Sequence, residues 1–175
     1  MEREKIDELL SLLENGDWDE ALHASDMLAN IADSYITKRL IEFLNNPRPD
    51  TRNAAALALR DIGDDTATEP LLRAINKPEN HDNRSTMVYA LENLNCSCHF
   101  IDIFMLALAP KEDVRLSALN ILHEQNFWIS DEDLDQARSI LLSHKKSFPN
   151  DSVINIINDL LNSLSEEAQS GTEEE

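Results

Sequence analysis

Cys96-Ser97-Cys98-His99 puts two thiols and an imidazole within four residues, the densest group of metal-ligating side chains in the chain. Tetrahedral zinc takes four nitrogen or sulfur ligands, which its protein sites usually supply as two separated pairs. No second pair stands nearby in sequence. The expectation is therefore two free thiols in a turn between helices, with His99 partly exposed. His123-Glu124 offers one imidazole and one carboxylate, which leaves most positions of a metal unfilled. Carboxylates for acid–base work are abundant among 34 Asp and Glu residues, but no spacing selects a pair. No strand-turn-helix elbow exposes a serine nucleophile. Gly16, Gly63 and Gly171 are the only glycines, too scattered to cradle a phosphate. These residues predict no enzyme, no cofactor and no metal.

What would position them repeats along the chain. Asp-x-Arg occurs at Asp50-Thr51-Arg52, Asp82-Asn83-Arg84 and Asp113-Val114-Arg115. The arginines are 32 and 31 residues apart, and counting on from each gives apolar residues at the third, sixth and seventh places: Ala55, Ala58 and Leu59, then Met87, Ala90 and Leu91, then Ala118, Ile121 and Leu122. That spacing is one face of a helix, three times over. Asp50, Asp82 and Asp113 are predicted to cap these helices. Pro47, Pro49, Pro78, Pro110 and Pro149 fall in the turns ahead of second helices, and Pro70 suits a first helical turn.

Apolar-periodic segments precede each turn, and looser copies flank the array, so the sequence predicts ten helices in five pairs. A two-helix unit of this size cannot bury its apolar face alone and must stack on its neighbours. The fold class is all-α, an α-α superhelix, forming one domain over residues 1–164 with degenerate outer pairs at 1–33 and 130–164. Residues 165–175 carry five glutamates and no base, and are expected to be an acidic disordered tail.

The run Ala54-Ala55-Ala56-Leu57-Ala58-Leu59-Arg60-Asp61-Ile62-Gly63-Asp64, followed by Ala67 and Pro70-Leu71-Leu72, resembles the bacterial HEAT-repeat pattern of the phycobilisome-lyase group. The resemblance covers about residues 35–125. It implies a right-handed solenoid with the second helices lining the concave face, and a structural ladder in which Asp50, Arg52, Asp82, Arg84, Asp113 and Arg115 bond between repeats. HEAT-type deoxyhypusine hydroxylases bind two irons with several His-Glu pairs facing each other, whereas this chain has one such dipeptide. DNA-binding HEAT proteins, the alkylpurine glycosylases among them, need a basic groove; here Asp61, Glu92 and Glu124 are expected on the concave helices.

Fifteen basic against 34 acidic residues leave a net charge of −19, which disfavours nucleic acid and anionic membranes as partners and favours a basic protein. The N-terminus lacks the apolar core of a signal peptide, and no stretch is long and apolar enough to span a bilayer, so a cytoplasmic protein is expected. The expectation for function is a binding module whose acidic face, with Asp61, Glu92 and Glu124, captures and neutralises a basic protein. Its sharpest form is an immunity protein against a nuclease-type toxin of a contact-dependent growth inhibition system, a group with several helical, acidic members. The alternative is a HEAT adaptor or chaperone-like subunit for which the charge is incidental. Trp18, Phe127 and Trp128 are expected in packing, with Phe127-Trp128-Ile129 partly exposed after a helix end.

Overall fold

The computed structural model describes residues 2–170, with side chains over 3–164. Its helices are α1 (Glu2–Asn15), α2 (Trp18–Ile31), α3 (Ser34–Phe43), α4 (Pro49–Ile62), α5 (Thr68–Ile75), α6 (Ser85–Ala90), α7 (Phe100–Ala107), α8 (Glu112–Glu124), α9 (Asp131–Ser147) and α10 (Val153–Ser170). Short 3-10 turns occupy Asp65–Ala67, Pro78–Asn80 and Leu91–Asn93. The all-α superhelix of five helix pairs is therefore the observed fold. Each odd helix packs on the even helix after it, and α2, α4, α6 and α8 form an unbroken row. The odd helices meet one another chiefly at α1–α3 and α7–α9.

α4 is the centre of the row, and its composition explains why. Pro49 starts the helix, and Gly63 ends it at φ 68° with no atom near where a Cβ would stand, so this glycine serves conformation rather than space. Ala54, Ala55, Ala56, Ala58 and Leu59 are all buried. A helix apolar around most of its circumference must be enclosed, and alanines let the neighbouring backbones come close.

The tripeptide aspartates do not cap their helices. The N-cap residues of α4, α6 and α8 are Arg48, Arg84 and Lys111, none with a side-chain cap bond. Asp50 and Asp113 lie inside the first turn, where only their charge favours the dipole. Asp82 lies outside α6 altogether. The turn Pro78–Asn80 takes up the chain there: buried Asn80 donates from Nδ2 to the Ala74 carbonyl at 2.8 Å, and Asp82 is left fully exposed. Side-chain caps appear instead at Asp17, Asp33 and Ser130.

The expected ladder is likewise built from other residues. Arg52 is buried, but its Nη1 donates to the carbonyls of Asn46 and Pro47 in its own turn, at 2.7 and 3.0 Å, and meets no aspartate. The Arg84 guanidinium has no hydrogen-bond partner among the described residues, its Nε is sealed from solvent, and burial lowers its pKa. Only Arg115 crosses to the next repeat, and its acceptor is Asp151. Nη1 and Nη2 reach the two carboxylate oxygens at 3.0 and 3.1 Å. Elsewhere the cross-links run from turn bases back to the preceding turn. Arg48 donates to the carbonyls of Glu14 and Gly16, Lys77 to Asn45 Oδ1, and Lys111 to the Asp82 carbonyl. A cation on the free carbonyls that end α1 also suits the negative end of that helix.

α10 continues to Ser170, past Leu164 where the sequence ends the array. The expected acidic tail at 165–175 thus begins within this helix, and its remainder, residues 171–175, lies outside the described residues.

Candidate protein-binding face

Trp18, Leu57, Ser85, Thr86, Tyr89, Asp113 and Ser117 line one cavity of about 380 Å³. They come from α2, α4, α6 and α8, four successive helices of the even row. The even helices pack against one another more closely than the odd helices do, as on the inner side of a curved array, and this open depression lies on that side. Leu57 on the central helix forms the floor, and Trp18 and Tyr89, on the helices either side, remain 38% and 40% exposed. Trp18 is therefore a groove residue and not core packing. Ser85 Oγ is buried there without a hydrogen-bond partner.

Acid flanks this cavity. Asp113 lines it, and Asp50 stands on the first turn of α4; neither has a hydrogen-bond or ion-pair partner among the described residues. Asp61, Glu92 and Glu124 stand at the other ends of the inner helices, closing α4, following α6 and closing α8. Cross-helix contacts tie this row together. Arg60 stacks over the Tyr89 ring at 4.4 Å while donating to Asp61 at 2.8 Å, and Asn120 Nδ2 donates to Glu92 at 3.2 Å. Among the described residues Glu124 meets only its neighbour His123, at 3.0 Å, and both are exposed. Each acid of this row thus already has one partner, whereas Asp113 has none.

The Cys96–His99 segment does not converge on a point. The Cys96 thiol is buried, with Sγ 3.7 and 3.6 Å from the Leu91 and Leu94 carbonyls, while Cys98 is exposed. Burial, with Asp65 adding to it, pushes the Cys96 thiol up to about 12, so the thiolate that a metal or an electrophile needs is suppressed. His99 starts α7 and faces Asp102 and, at 4.0 Å, Glu69. Among the described residues no three His, Cys, Asp or Glu side chains are grouped to hold a metal. An aromatic disulfide reagent at about pH 8 is expected to titrate Cys98 alone in the native chain and Cys96 only after unfolding in guanidinium, because only exposed thiols ionise readily. Rapid reaction of both native thiols would contradict this burial.

Gln125, unnoticed in the sequence, holds that segment in place. At the end of α8 its Nε2 donates to the carbonyls of Leu91, Glu92 and Leu94, and its Oε1 accepts from the Cys96 amide at 2.9 Å. One amide side chain thereby closes the free end of the previous repeat, where a glycine would ordinarily serve. Beyond it Phe127 packs edge-on against Phe100, and Trp128 donates its backbone N–H to the Ser97 carbonyl while its side chain is 77% exposed.

Residues 6–92, about half of the chain, match the family of HEAT repeats. With the helix pairs stacked as described, the chain is a HEAT-repeat protein, and such arrays are protein-binding helical modules. No curated protein sequence matches it. Among the described residues no helix is long and apolar enough to cross a membrane.

Proposed function

We propose that the inner face binds and neutralises a basic protein, and that its most specific form is an immunity protein against a bacterial toxin of the contact-dependent growth inhibition kind. The observation that carries this reading is the acid at the ends of the inner helices. Asp61, Glu92 and Glu124 stand at or just past helix C-termini, where the dipole disfavours negative charge by about 0.3–1 kcal/mol per residue. Asp61 is offset by Arg60, and Glu92 and Glu124 have neighbours of their own, so what the row offers a cationic partner is several carboxylates along one side of the array, and the net charge of −19 adds long-range attraction. Phosphate backbones are repelled by the same field.

The test is capture from lysate of the source cells at low salt, eluted along a salt gradient and compared with a variant carrying Asp61→Lys, Glu92→Lys and Glu124→Lys. A basic protein is expected to be held by the parent, released by salt, and bound at least about tenfold more weakly by the variant, whose helicity stays intact. Co-production of the parent should relieve the toxicity of that protein. Equal capture by both proteins removes the electrostatic reading. Trp128 favours a second reading, an adaptor, because an exposed indole on an ordered loop suits apolar anchoring. A partner that ignores salt and is lost on Trp128→Ala would select it.

A further inference from the structure

The cavity between Trp18 and Tyr89 has the chemistry of a socket for one cationic side chain, and we propose that it takes an arginine of the basic partner. This inference rests on the reading of a basic partner and adds the point at which that partner is anchored. Three features support it. The indole and the phenol, on either side of Leu57, offer π-faces, which attract guanidinium ions when both are partly shielded from water. The wall contributed by α8 carries the Asp113 carboxylate, which has no hydrogen-bond or ion-pair partner among the described residues. Ser85, also in the lining, holds its Oγ sealed from solvent without a hydrogen bond among the described residues, and rotation about its Cα–Cβ bond would bring that oxygen to accept one from a guanidinium N–H.

The chain already contains a version of this contact. Arg60 lies over the Tyr89 ring and is held by Asp61, so one face of that ring accepts a guanidinium beside a carboxylate. Asp113 and Trp18 bring a second carboxylate and a second ring to the lining of the cavity. Arginine rather than lysine suits it, since a planar guanidinium stacks on a ring and spans a carboxylate and a hydroxyl together, whereas an ammonium is a point charge. The cavity, about 380 Å³, admits one such side chain with its stem and no folded element.

Trp18 itself supplies the readout. In a Trp128→Phe background it is the only tryptophan, and its fluorescence reports the cavity directly. Titration with a tri-arginine amide at fixed ionic strength is expected to change that fluorescence saturably, with Kd on the order of 0.1–1 mM. Tri-lysine amide at the same ionic strength, and tri-arginine with Tyr89→Leu or Asp113→Asn, are each expected to bind at least about fivefold more weakly. Both positions are exposed, and circular dichroism checks that each variant is folded. No saturable change, equal binding of tri-lysine, or undiminished binding by the two variants would each overturn the socket. None of these results touches the wider reading of a basic partner, which the salt-gradient capture decides separately.

Discussion

Phe104→Ala is expected to cost about 4 kcal/mol and to lower the melting temperature by about 10 °C. Phe104 is the largest of the fully buried side chains, at 0% exposure, and stands in α7 with its ring centroid 5.8 Å from that of Phe100. Truncation removes transfer free energy and leaves a cavity that two packed helices cannot collapse to fill. The consequence reaches the surface, because Phe100 in turn packs on Phe127 at 5.8 Å, and Phe127 sets the loop that displays Trp128. Hydrogen exchange at the Trp128 amide, bonded to the Ser97 carbonyl, should therefore accelerate more than that of amides in α2. Urea denaturation measures the first effect and exchange the second. Phe104→Leu, which keeps most of the volume, should cost far less. Retention of parental stability by Phe104→Ala would mean that this ring is not the centre of the fourth pair.

Helices and pairing were legible because they depend on spacing. The apolar residues counted from Arg52, Arg84 and Arg115 do face the core: Ala55, Ala58, Leu59, Met87, Ala90, Leu91, Ala118, Ile121 and Leu122 are all buried. The roles of the tripeptide itself were not legible, because they depend on where a turn ends. The turn Pro78–Asn80 leaves Asp82 exposed and away from Arg52, and of the three tripeptide arginines only Arg115 bonds to another repeat among the described residues, at Asp151, in the pair where the pattern is loosest. Polar contacts set by three-dimensional register leave little trace in one sequence. Gln125 shows this well: a glutamine at a helix end is ordinary until its amide is seen to meet the end of the preceding repeat. Asp61, Glu92 and Glu124 stand at or just past the C-terminal ends of three successive even helices, a position that follows from the repeat spacing alone. The aromatic cavity near the N-terminal ends of those helices leaves no such trace, since Trp18, Tyr89 and Asp113 lie on helices far apart in the chain and come together only in the folded array.

Asp151→Ala is expected to loosen the last helix pair, at a cost of about 3 kcal/mol, because it strands two groups at once. The Asp151 carboxylate is 14% exposed and receives the Arg115 fork, His144 Nε2 at 3.0 Å and the Val153 amide at 3.2 Å. Arg115 and His144 come from α8 and α9, so the carboxylate at the start of α10 fastens the fifth pair to the fourth. Burial works to raise this carboxyl, but the His144 and Val153 hydrogen bonds and the Arg115 charge outweigh it and hold it below the usual carboxylate value. The sign for stability follows. A carboxyl depressed in the folded chain contributes fully above its unfolded value near pH 4, and that contribution is lost as pH falls through the folded value. The stability difference between the parent and Asp151→Asn should therefore shrink as pH falls below about 4. Taking a difference matters, because protonating many carboxylates at once also relieves the self-repulsion of a chain at −19 and would mask the trend in the parent alone. Since repeats contact only their neighbours, helicity lost in Asp151→Ala should come from α9 and α10 first, while amides of α4 stay protected. A difference that persists undiminished at about pH 2 would show that packing around Asp151, and not its charge, joins the pair to the array.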